Sequence, residues 1–235
     1  MMKGYEGSYL HAIRLNDWYP CWNLSLSGRL YSPDFAAACD PGLANSHRRV
    51  RDISIEELKL NGPPQGVFTP RATWYVWAAA IIRREGHVGI GQIDTKWLNK
   101  EKRDQITRLG DIELMFENRR RKTDPEAVSR MSCLWVAEDN NVGKAHIRAM
   151  LGPSVHILKV TIPIALNVTR VDTSWFDLYC QDGQEEYLNN YWAGKPFDNA
   201  PKWELLVDGM IEAVDDRELK IIREHCAHLD LPKQL

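Results

Sequence analysis

Three side chains able to do chemistry stand in short apolar runs of this 235-residue chain. His11 lies in Leu10-His11-Ala12-Ile13-Arg14, Trp135 in Met131–Ala137 (MSCLWVA) and Glu204 in Trp203–Val207 (WELLV). A glutamate that follows a loop and precedes apolar residues can stabilise positive charge as it develops on a substrate. A tryptophan offers an aromatic face to a flat or cationic ligand. Each residue also has an ordinary structural explanation: a satisfied core histidine, a core tryptophan, a carboxylate on a solvated strand face. His146 reads as a surface or half-buried helix residue, and Asp172, Glu185 and Glu186 as solvated.

The motifs that are missing narrow the chemistry. Gly86–Gly91 (GHVGIG) has neither the dinucleotide-binding glycine spacing nor the lysine of a phosphate loop. No G-x-S-x-G elbow and no H-E-x-x-H pair occur. The five cysteines are scattered, with no C-x-x-C pair and no zinc spacing, so reduced thiols and no metal are expected. A formal charge of −2 provides no global field toward nucleic acid or an anionic membrane. The longest apolar stretch, Trp74–Ile82, is about half a membrane span. A cytoplasmic protein is expected, or one delivered into a target cell's cytoplasm, with no membrane partner. Nine tryptophans are compatible with a flat ligand or nucleic acid, although core packing also uses them.

These residues must be positioned by mixed elements. Ser8–Leu15, Met131–Ala137 and Val155–Ile162 read as strands. Trp203–Val207 and Met210–Val214 read as a hairpin around an Asp208–Gly209 turn. Helices are expected over Ser32–Cys39 with Pro33 in the first turn, and over Thr73–Arg84, capped by Thr73 and stopped by Gly86. Further helices are expected within Lys96–Lys122, over Asp139–Leu151, over Gln184–Trp192 and over Asp216–Leu229. Asn61–Pro70 and Ala193–Lys202 read as loops. Strands and helices mix without regular βαβ alternation, which predicts an α+β fold. No linker divides the chain, so residues 1–235 are expected to form one domain, with 30–130 as a helical insertion that covers it.

Taken together and in order, the segments around His11, Trp135 and Glu204 resemble the ADP-ribosyltransferase superfamily, in the His–aromatic–Glu branch of poly(ADP-ribose) polymerases and diphtheria-toxin-like enzymes. The resemblance implies a split β-sheet core flanked by helices and NAD as co-substrate. It implies that Glu204 holds the nicotinamide-ribose 2′-OH, His11 the adenine-side ribose, and the Ala12 backbone the nicotinamide carboxamide. Arg14 joins this NAD-binding strand, Trp135 faces the nicotinamide, and His146 stands where related polymerases place a second stacking tyrosine.

The chain departs from that pattern in several places. Ala12 replaces a glycine, Trp135 replaces a tyrosine, and Lys202 stands where arginine-modifying members carry Glu or Gln, so arginine is not the expected acceptor. Arg14 and Ser132 fit a second branch less well. The basic runs His47–Arg51 and Asn118–Lys122 read either as solvated faces or as a phosphate-tracking surface. Loop 193–202, with Phe197, stands where the family recognises its acceptor. The leading expectation is a mono-ADP-ribosyltransferase, a toxin, effector or defence enzyme with an antitoxin as possible partner. Its acceptor would be a macromolecule, with RNA or DNA favoured over protein. The alternatives are an NAD glycohydrolase and a non-catalytic module that binds nucleic acid or protein.

Overall fold

A computed structural model describes residues 3–45, 47–64, 71–85, 89–90, 93–94 and 98–225. Gly86 as a helix stop, the Gly86–Gly91 run, most of Asn61–Pro70, Cys226 and the tail beyond His225 involve residues outside that description. The fold is α+β. Its main sheet is built from β1 (Lys3–Ile13), β2 (Arg29–Tyr31), β5 (Leu134–Glu138), β6 (His156–Asp172) and β7 (Trp203–Ala213). A separate two-residue pair joins β3 (Gly89–Ile90) to β4 (Ile93–Asp94). The main order is β2-β7-β5-β1-β6, every pairing is antiparallel, and β6 also pairs with β7. The strands therefore run in a ring, filled by Leu134, Val136, Leu158, Val160, Leu205, Val207 and Ile211.

Two strands run further than their sequences suggest. β6 continues ten residues past Ile162, through Pro163, because register shifts absorb the residue that cannot donate a ladder hydrogen bond. The Asp208–Gly209 hairpin is a correction: β7 passes through it unbroken. Gly209 is needed there because β6 crosses so closely that a Cβ would stand 2.6 Å from Ala165 Cα. The N–H of Gly209 donates to Ser32 Oγ (2.9 Å), and Ser32 Oγ donates to Asp208 Oδ1 (2.7 Å).

That serine is also the N-cap of α2 (Pro33–Cys39), accepting from the Phe35 N–H, as its type and the following proline predict. The other helices are α1 (Trp18–Ser27), α3 (Pro41–Ala44), α4 (Ile55–Asn61), α5 (Arg71–Glu85), α6 (Lys100–Thr123), α7 (Asn141–Leu151), α8 (Ser174–Asp182), α9 (Glu185–Trp192) and α10 (Asp216–His225). Thr73 does not cap α5. The helix starts at Arg71, and the Thr73 hydroxyl donates inward to the Met131 carbonyl. Helices α5 and α6 touch closely at Gly110, where a Cβ would stand 2.6 Å from Ala79 Cβ. A second core joins Phe116 of α6, Tyr179 of α8, Tyr191 and Trp192 of α9 and Leu206 of β7. Among the described residues no helix is long and apolar enough to cross a membrane.

Candidate active site

The register decides which side chains can meet. Ala137 pairs with Glu204 and Trp135 with Leu206 across β5 and β7. Alternate residues of a strand share a face, so Trp135, Ala137, Glu204 and Leu206 lie on one side of the sheet. Helix α7 follows β5 and covers that face, with Ile147 packed on Ala137 and Leu10. This places His146 over Glu204: His146 Nε2 lies 2.7 Å from Glu204 Oε1, with the glutamate buried and the histidine half-buried. The carboxylate can only accept, so Nε2 carries the proton. Glu204 Oε2 and Trp135 Nε1 are buried without a partner. Unpaired buried polar atoms are costly and rare in folded proteins. An acceptor and a donor left in this state on one face are suited to a ligand that carries hydroxyl and carbonyl groups.

His11 lies on the other side of the sheet and touches the backbone of Trp135. Leu10 pairs with Ala137, whereas His11 pairs with Leu158 of the main core, so alternation turns the imidazole to the opposite face. The β1–β5 ladder holds Tyr9↔Glu138 and Leu10↔Ala137 and goes no further along β1. Its Nδ1 lies 2.7 Å from the Trp135 carbonyl oxygen. Burial lowers the His11 pKa, against the raising effect of that hydrogen bond, so the ring is neutral at pH 7 with its proton on Nδ1. Its Nε2 is then an acceptor.

Ala12 packs with Leu151, Val155 and Ile157 under α7. Arg14 is exposed just past the end of β1. The structure therefore gathers Trp135, Glu204 and His146, sets His11 behind them, and leaves Ala12 and Arg14 to one side.

A buried cluster that the sequence reading passed over holds Trp135 in place. Arg130 donates to both Glu113 oxygens (2.7 and 2.9 Å) and to the Tyr191 hydroxyl. Its guanidinium lies 4.4 Å from the Trp135 ring centroid and 4.1 Å from that of Phe176. One face of Trp135 is thus already given to a cation. Burial alone would lower the Arg130 pKa, but Glu113 and its other anionic neighbours raise it well above the ordinary arginine value. A signal for this cluster existed: Glu113, Glu117 and Arg120 fall at helical spacing among Ile112 and Phe116, charges set on an apolar stripe.

Several other expectations change with the structure. Asp172 is not solvated. It is fully buried and accepts from the N–H groups of Ser174 (2.9 Å), Phe197 (2.8 Å) and Lys202 (3.3 Å), pinning loop 193–202. Glu185 is exposed and pairs with Arg119, and Glu186 is exposed. His146 is half-buried, one of the two settings its sequence position allowed. Within Asn118–Lys122, Arg120 is buried against Glu117, and Arg121 donates to Glu117 and to the carbonyls of Ile53 and Val50. Those two guanidinium groups stabilise the fold and are turned away from any phosphate backbone. Phe197 is 44% exposed and meets Trp175 edge-on, while Arg170 stacks 3.9 Å from the Trp203 ring centroid.

The cavity beside His146, lined by Glu138, Asn140, Gly143, Pro201, Lys202 and Trp203, has a volume of only about 10 Å³, room for one water. Among the described residues no group of three or more His, Cys, Asp or Glu could hold a metal ion.

No curated protein matches the chain. A family model described as "Protein of unknown function (DUF2441)" matches residues 90–224, which carry Glu113, Arg130, Trp135, His146 and Glu204 and leave out β1 with His11. That match covers more than half of the sequence, and the chain belongs to the DUF2441 family.

Proposed function

We propose that the chain is an NAD-dependent mono-ADP-ribosyltransferase with an ADP-ribosyltransferase-like split sheet, and that Glu204 is its catalytic carboxylate. The observation that carries this reading is the buried, half-unpartnered Glu204 carboxylate, on one face with the unpartnered Trp135 Nε1 and beside the end of the β1–β5 ladder. NAD supplies an activated glycosidic bond: its C1′–N1 bond breaks and nicotinamide leaves neutral, so no general acid is required. Glu204 Oε2 is free to accept the ribose 2′-OH and to stabilise the oxocarbenium-like charge at C1′. The acceptor then bonds to C1′ and gives its proton to the carboxylate. His11 Nε2, as an acceptor, suits a ribose hydroxyl.

NAD requires more room than the closed cavity gives. The reading therefore needs His146 to leave Glu204, through movement of α7 or of loop 193–202, and needs nicotinamide to use the Trp135 face that Arg130 does not cover. For the acceptor, nucleic acid is favoured by the exposed Phe197, the Arg170–Trp203 stack and Lys202 around the start of β7. The closed cavity is also the one observation that favours a non-catalytic binding module.

Nicotinamide release from NAD by the wild type and by Glu204→Gln, with RNA, DNA or protein added in turn, tests the proposal. Release that falls at least a hundredfold in the variant and rises with one acceptor pool is the expected result. Release independent of any acceptor makes the protein an NAD glycohydrolase. No release together with no NAD binding removes the enzyme reading.

A further inference from the structure

Helix α7 has two working flanks. Gly143 and Ile147 face the sheet; His146 turns to one side, toward Glu204, and Lys144 and Arg148 turn to the other. On that second side lies a cavity of about 340 Å³, lined by Leu10, Asp139, Lys144, Arg148, Ile157, Lys159 and Glu218. This volume is within the range of small-ligand sites.

Its charges are unevenly matched. Lys159 Nζ lies 2.6 Å from Asp139 Oδ2, which also accepts from Ser8 Oγ at 2.7 Å. Glu218 Oε2 lies 2.7 Å from His156 Nε2, at ion-pair distance although out of line for a hydrogen bond. Asp139 is therefore engaged, with Lys144 also in its field, while Glu218 Oε2 faces the His156 ring without a hydrogen bond. Lys144 and Arg148, one helical turn apart, form no ion pair among the described residues. Leu10 and Ile157 supply the apolar part of the lining. Two exposed cations that form no ion pair among the described residues, beside apolar lining, suit a ligand with a phosphate at one end and a flat, weakly polar body at the other.

We propose that this cavity is a binding site for a phosphate-bearing mononucleotide, separate from the Glu204 site and independent of the NAD reading. The phosphate lies against Lys144 and Arg148, and the base against Leu10 and Ile157.

Calorimetry with AMP, adenosine and inorganic pyrophosphate, on the wild type, Arg148→Ala, Lys144→Ala and Glu204→Gln, tests the site. The expected result is AMP binding at least tenfold tighter than adenosine or pyrophosphate. Arg148→Ala and Lys144→Ala should each weaken it about tenfold, and Glu204→Gln should leave it unchanged. Both lysine and arginine side chains are exposed, so the variants are expected to fold, which circular dichroism checks. The proposal is overturned if AMP binds no tighter than adenosine, if pyrophosphate binds as well as AMP, or if binding is lost in Glu204→Gln but kept in Arg148→Ala.

Discussion

The Glu204 carboxylate accepts a 2.7 Å hydrogen bond from His146 at one oxygen and is buried without a partner at the other. The two residues come from β7 and α7, so the contact ties the helix to the strand beneath it.

Replacing His146 with alanine leaves the whole carboxylate buried and unpaired. A loss of about 2–4 kcal/mol in urea unfolding is expected, with part recovered in His146→Gln, whose amide can donate. A loss under about 0.5 kcal/mol, the range of an exposed pair, would mean the carboxylate is not enclosed as described.

Arginines in one run should behave oppositely. Arg120→Ala removes two hydrogen bonds to Glu117 and two to the Pro125 and Ala127 carbonyls, all from a buried side chain, and should cost about 3–5 kcal/mol. Arg119→Ala breaks a pair with the exposed Glu185 and should stay within about 0.5 kcal/mol. Equal effects from the two would contradict the packing of α6.

Asp208 gives stability a pH dependence. Burial pushes its carboxyl up to about 6 from the usual 3.8, helped by nearby Asp34 and opposed by the Ser32 hydrogen bond. An acid with a raised folded-state value favours the fold fully below about 4 and loses that contribution as pH rises through about 6. Asp208→Asn should therefore gain about 1–3 kcal/mol on the wild type between pH 4 and pH 8. A stability difference that is the same at both pH values would refute this.

Loop 193–202 depends on Asp172. With Asp172→Ala, three main-chain N–H groups lose their acceptor, and native-state trypsin cleavage after Lys202 should rise at least about tenfold. Unchanged cleavage would show that the loop is held by other contacts, such as Trp175 Nε1 donating to the Lys195 carbonyl.

What the sequence revealed follows what is local. The Ser32–Pro33 start of α2, the α7 helix before Gly152–Pro153 and the run around Trp135 were all legible, because capping, turn residues and apolar periodicity act within a few positions. The Asp208–Gly209 reading failed because that glycine answers to β6, more than forty residues earlier in the chain, rather than to a turn. The same limit hid Asp172 and Arg130. A lone aspartate after a strand looks solvated until the loop that needs its oxygens is folded over it. The strand carrying Trp135 was visible, but the cation on its ring was not, since Glu113 and Tyr191 come from distant helices.

The ring of strands bears on how this chain meets copies of itself. Sheets recruit other chains through unpaired rims. Here β1, β5, β6 and β7 each have neighbours on both sides over part of their length, because β6 closes back on β7. In the main sheet β2 is the terminal strand, and it is three residues long, with Arg29 held by Glu212 of β7. So short a terminal strand, with a charge on it, is a poor template for strand addition.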